Sequence, residues 1–182
     1  MAEVLASSDG ELRRFILERH PVRGFWIRLD GAWRELRSFH RYPAAVEALL
    51  GEAVTASVLL AATLKFQGTL TLQLAGDGLV NLLVAQCTHE FAIRAVARAN
   101  PGIDGPVDFR QLVGDGRLTV TIEAEERAAR YQGIVSLEGA SLAASIILSN
   151  SAEGTGSALY FRMARRFCMA SIKSMKASRK LG

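Results

Sequence analysis

Hydrophobic and polar positions follow two different periods along this 182-residue chain, and the switches between them predict its elements. Ser8 followed by Glu11 has the form of a capping box, in which a hydroxyl and a carboxylate satisfy the first free amides of a helix. Leu12, Phe15, Ile16 and Arg19 then fit one short helix ending before Pro21. Val22 to Leu29 reads as a strand. Asp30-Gly31 is a hairpin turn signal, since Gly accepts φ > 0 freely and Asp better than most residues, and Ala32 to Ser38 would be the return strand. Tyr42-Pro43 opens the clearest helix, with Pro43 near the first turn, where a missing N–H costs nothing. Val46, Leu49, Leu50, Val54, Leu60 and Leu64 recur there at helical spacing, and Ala53, Ala56, Ser57, Ala61 and Ala62 allow close packing.

From Gly68 the period becomes two. Leu70, Leu72 and Leu74 point one way and Thr69, Thr71 and Gln73 the other. Gly76-Asp77-Gly78 turns the chain into a strand from Leu79 to Ala85, and Phe91 to Ala97 predicts another. Asp108 to Val113 forms a helical turn. Gly114-Asp115-Gly116 repeats the turn chemistry before Leu118, Val120 and Ile122, which alternate with Thr119 and Thr121. Tyr131 to Leu137 is a further strand, and Ser141 starts a helix. The expected class is α+β, with helices packed on a largely antiparallel or mixed twisted sheet.

Composition narrows this picture. A hydrophobic fraction of 49% with 22% charged residues supports a packed core. Apolar runs stop short of the roughly 18–20 residues of a membrane span, and the first ten residues lack the apolar stretch of a secretory signal. The expectation is a soluble cytoplasmic protein. The net charge of +4 and pI near 9.4 suggest a nucleic-acid partner, but the charge is unevenly spread. Residues 161–182 hold seven of the 22 basic side chains and no acid, so they carry +7 and residues 1–160 carry −3. Lys65 is the only lysine of the body, whereas the tail has three. The basicity therefore belongs to the tail, and a nucleic-acid partner is not expected for the body.

Few residues suggest chemistry. His20, His40 and His89 lack a paired metal-ligand spacing and read as surface or core side chains. Cys87 and Cys168 match neither a C-x-x-C motif nor a zinc spacing. The two Gly-Asp-Gly segments fit neither phosphate-loop pattern, so turns explain them better than phosphate binding. Glu123, Glu125 and Glu126, followed by Arg127 and Arg130, read as a solvated turn. Lys65 has no visible partner base or nucleophile. No catalytic, cofactor-binding or metal-binding residue is assigned, and no enzyme is expected. In the tail, Phe161, Cys168, Ile172 and Met175 fall near one helical face, with Arg165, Arg166, Lys173 and Lys176 largely elsewhere. A basic amphipathic helix for nucleic acid or an anionic surface is the alternative reading. The linker-like stretch 149–157 favours an unstructured end.

Several segments together carry a family resemblance. They are Val22-Arg23-Gly24, Tyr42-Pro43, Ala62-Thr63-Leu64-Lys65-Phe66 with Gly68, and Leu72-Gln73-Leu74 with Gly76-Asp77-Gly78. Leu112-Val113-Gly114-Asp115-Gly116 and Tyr131-Gln132-Gly133-Ile134-Val135 with Leu137-Glu138-Gly139 complete the set. In order and spacing the body resembles the N-terminal domain of the heat-shock protein 33 family, the bacterial redox-regulated 33-kDa chaperone, over residues 11–145. The resemblance implies an ATP-independent holdase that binds unfolding client proteins, with a homodimer as a further implied partner. It implies that a C-terminal module of C-x-C and C-x-x-C pairs holds zinc, and that oxidation expels the metal and exposes apolar client-binding surface.

Neither cysteine pair is present here, so no zinc or disulfide role carries over and no cofactor is expected in this chain. The resemblance fades after Ala144, where the chain continues Ser145-Ile146-Ile147-Leu148. The expected organisation is a chaperone N-terminal domain, residues 1–145, and a divergent basic tail, residues 146–182, produced by truncation or a frameshift. The sequence does not locate the client-binding residues.

Overall fold

Backbone pairing sorts the strands into two antiparallel sheets. The computed structural model describes residues 4–5, 10–17, 22–64, 67–124, 130–146, 157–164 and 167–174. In chain order the elements are β1 (Val4–Leu5), β2 (Glu11–Leu17), β3 (Val22–Arg28), α1 (Asp30–Phe39), α2 (Ala44–Thr63), β4 (Gly68–Ala75), β5 (Val80–Thr88) and β6 (Ala92–Ala99). They continue with α3 (Phe109–Val113), β7 (Arg117–Ala124), β8 (Arg130–Ser136), β9 (Ser157–Ala164) and β10 (Phe167–Ser174). Residues 142–146 are also helical. The larger sheet runs β1-β6-β5-β4-β7-β8 and the smaller β2-β3-β10-β9. This is the α+β architecture expected from the sequence.

The core lies between the larger sheet and α2. Leu70, Leu72 and Leu74 of β4, Leu83 of β5, Ile93 of β6 and Leu118 of β7 are fully buried on one face. Against them α2 sets Val46, Leu49, Leu50, Ala53, Val54, Val58 and Leu59, all buried. Its small residues let helix and sheet approach closely, as their spacing predicted. One 18-residue stretch of α2 has mean hydropathy 1.6, long and apolar enough to cross a membrane by length and composition; in this fold it is the core helix. Glu52 leaves the apolar pattern of α2 for a local reason. Its Oε2 accepts the Ala143 N–H at 3.3 Å, at the start of helical residues 142–146. Burial pushes the carboxyl's pKa up, and the Ala143 and Leu142 amides oppose that shift.

Three expectations change. Leu12, Phe15 and Ile16 lie in β2, a strand, because the segment also reads with period two and pairs with β3 from Glu11↔Arg28 to Leu17↔Val22. Glu11 is no helix cap there; it faces Arg13 and Arg28 in ion pairs, and Ser8 lies outside the described residues. Phe15 stands opposite Gly24, where a Cβ would collide with the Phe15 ring, so this glycine makes room for an aromatic across the strand. Asp30-Gly31 opens α1 instead of a hairpin, and the supposed return strand is helical. Ala32 and Leu36, four apart, are both buried, and Trp33 packs against Gly51 of α2, so tertiary packing overrides the turn signal. Asp30 is favourable in a first helical turn, next to the positive end of the helix dipole.

The third change is in the tail. Residues 157–164 and 167–174 form paired strands, neither the unstructured end nor the amphipathic helix expected, with β10 pairing β3 from Cys168↔Ile27 to Lys173↔Val22. The linker-like residues 149–156 lie outside the described residues.

Candidate functional site

Several of the residues singled out for chemistry have structural partners. The two Gly-Asp-Gly turns pack against each other. Asp77 Oδ1 accepts the Asp115 N–H at 2.8 Å, and Gly114 sits at φ 59°. A Cβ on Gly78 would stand 2.6 Å from Gly114 N and from Leu112 O. An aspartate therefore occupies one amide that a phosphate would need, the Asp115 N–H. His89 lies in the β5–β6 turn, where its Nδ1 accepts the Gly68 N–H at 3.1 Å. His40 stacks on Tyr42. Glu123 pairs with Arg130 across β7 and β8 at 3.4 Å, in keeping with a solvated turn. His20, Lys65, Glu125, Glu126 and Arg127 lie outside the described residues.

Cys87 is fully buried in β5. Burial pushes its thiol up to about 12, which suppresses the thiolate that metal binding or oxidation requires. Cys168 takes a backbone position in β10 opposite Ile27. Among the described residues, no three His, Cys, Asp or Glu side chains converge as a metal centre would need. The donor set does not fit the four-thiolate zinc module.

The sheet face turned away from α2 has a different character. Cross-strand partners share a face, so Ile134, Thr119, Gln73, Val84 and Val96 form one row across five strands. Gln132, Thr121, Thr71, Gln86 and Arg94 form the next. Gln86 Nε2 donates to Thr71 Oγ1 at 3.0 Å, fixing the polar row. At the sheet edge among the described residues, β8 exposes Ile134 at 66% on this face, while Tyr131, 62% exposed, stands in register with Ile122 and Leu70 on the α2 side. The arrangement offers apolar side chains, hydroxyl and amide hydrogen-bonding groups, and an edge strand together. Apolar groups beside hydrogen-bonding groups can be buried against other apolar surface through non-directional contact.

The family model for Hsp33 protein matches residues 10–147. This chain belongs to the Hsp33 family. A relative from Nitrosococcus oceani named "33 kDa chaperonin" is 45% identical over 135 residues, covering 72% of this chain and 45% of its own. A relative of the same name from Vibrio parahaemolyticus is 44% identical, covering 74% of this chain and 46% of its own. The chain thus spans a little under half the length of these curated relatives. The crystal structure of the Thermotoga maritima Hsp33 homologue superposes with a TM-score of 0.72 at 22% identity, over 89% of this chain and 60% of that one, and shares its fold.

Membership agrees with the family resemblance read from the motifs. The open face itself was not foreseen. Its signal was the polar half of each alternating strand, where Val84, Val96 and Ile134 interrupt threonines and glutamines. Nothing short of strand register aligns those three in a row.

Proposed function

We propose that this domain is a holdase. It binds unfolding polypeptides in the cytoplasm and prevents their aggregation without ATP and without catalysis. The observation that carries this reading is the row from Val96 to Ile134, which ends on β8, the edge strand among the described residues, with Ile134 two-thirds exposed. Unfolding chains expose apolar side chains and unpaired backbone groups, and this face with its edge answers both needs. Family membership and relatives named chaperonin support the same reading. Residues 1–145 form the chaperone domain and 146–182 the compositionally divergent segment.

Cys87 and Cys168 stand in neither a C-x-C nor a C-x-x-C pair, so the holding proposed for these 182 residues needs no thiol chemistry of their own. Light scattering of an aggregating client, with and without peroxide, tests this. Equal suppression is expected, and strict dependence on peroxide would contradict it. Sedimentation velocity on the same sample tests whether the chain acts as the homodimer implied by the resemblance.

A further inference from the structure

A second surface lies away from the open face, at the elbow between α1 and α2. Within a body of net −3, residues 34–41 (Arg-Glu-Leu-Arg-Ser-Phe-His-Arg) concentrate three arginines. Arg34, Arg37 and Arg41 line one cleft of about 520 Å³ with Ser38, His40, Tyr42 and Glu47. A smaller cleft of about 360 Å³ adjoins it, sharing Arg34 and Arg37 and adding Asp30 and Trp33. The volume of the first falls within the range of small-molecule sites, roughly 300–1,000 Å³.

The cleft is held in shape from two sides. Arg37 Nε donates to Glu47 Oε1 at 2.8 Å, tying the end of α1 to the first turn of α2. His40 and Tyr42 stack with ring centroids 5.9 Å apart and an interplanar angle of 17°. Tyr42 Oη accepts the Ala97 N–H of β6 at 3.2 Å, which anchors the aromatic pair to the sheet. Arg34 and Arg41 have no ion-pair or hydrogen-bond partner among the described residues. Three arginines against Glu47 leave the larger cleft with two uncompensated positive charges. One carboxylate would neutralise only half of that. A phosphate monoester carries close to two negative charges and pyrophosphate more, and both present oxygens that guanidinium forks grip in pairs.

We propose that the α1–α2 elbow is a binding site for a soluble phosphate-bearing small molecule, held by Arg34 and Arg41 and by the Arg37 that Glu47 positions. This site is independent of the client-binding reading, because none of its residues lies on the open sheet face.

Inorganic pyrophosphate is the probe, titrated into the full chain at constant ionic strength. Binding is followed by calorimetry and by the NMR shifts of the His40 ring and the Ala97 amide. Saturable one-site binding that moves both signals is expected. Arg34→Gln/Arg41→Gln should weaken it roughly tenfold or more, since each substitution removes charge-assisted hydrogen bonds. Arg117→Gln, on β7 and away from the cleft, should leave it unchanged. An unchanged melting temperature shows that the double variant is folded. Equal affinity in the folded double variant would overturn the proposal. So would a response matched by chloride at equal ionic strength. Sedimentation with phosphatidate vesicles that pyrophosphate fails to displace would assign the arginines to a lipid surface instead, and would likewise overturn it.

Discussion

The two faces of the six-stranded sheet are built from the same strands and differ in everything the alternation allows. Toward α2, Leu70, Leu72, Leu74, Leu83 and Leu118 are fully buried. On the other face their chain neighbours are Thr69, Thr71, Gln73, Val84 and Thr119, and Ile134 stands largely exposed. One face is used up in holding the fold. The other sets apolar groups within a hydrogen-bonded frame, where the proposed client binding falls. Stability and binding are therefore separable by residue parity, and substitutions should divide accordingly.

The largest effect is expected on the buried face. Leu72→Ala removes a fully buried side chain under α2 and should cost about 2–5 kcal/mol, read by urea denaturation. A loss below 1 kcal/mol would mean that this face is not the closely packed core described above. Next comes Gly114→Ala in the interlocked turns. It places a side chain at φ 59°, against Asp77 and Gly78, and should cost about 1–3 kcal/mol. A neutral result would show that the two turns are not rigidly coupled.

The sequence made much of the buried face legible, because period-two alternation and the small residues of α2 speak directly about packing. The turn glycines were readable as turns, yet their mutual packing joins residues almost forty positions apart and leaves no local trace. β2 and α1 were misread for one reason. Leu12 to Ile16 satisfies both periods, and Asp30-Gly31 suits either a hairpin or a helix start, so long-range partners decided each. The open face needed cross-strand register before Ile134, Val84 and Val96 became neighbours. The elbow's arginines were visible as residues, but not as one cleft.

A smaller effect concerns the seam between α2 and helical residues 142–146. Burial raises the Glu52 pKa, so the folded chain holds that proton more tightly than the unfolded one. Just above the ordinary glutamate pKa the folded state binds more protons, and stability should fall as pH rises through that window and return on acidification. Glu52→Gln removes the ionisation while keeping an oxygen for the Ala143 amide. Thermal melts of this variant between pH 4 and 8 should show a flatter pH dependence, with stability at neutral pH equal or higher. An unchanged slope would place the pH dependence elsewhere.

The open face is tested most directly by a variant that spoils its row and spares its fold. Ile134→Lys with Val84→Thr removes apolar surface from two positions of the row and keeps strand-compatible side chains. Its melting temperature should stay close to the parent's, while roughly tenfold more protein should be needed to suppress client light scattering to the same level, as expected for the loss of one or two buried aliphatic contacts. Undiminished suppression by this folded variant would contradict the assignment of client binding to the open face of the sheet.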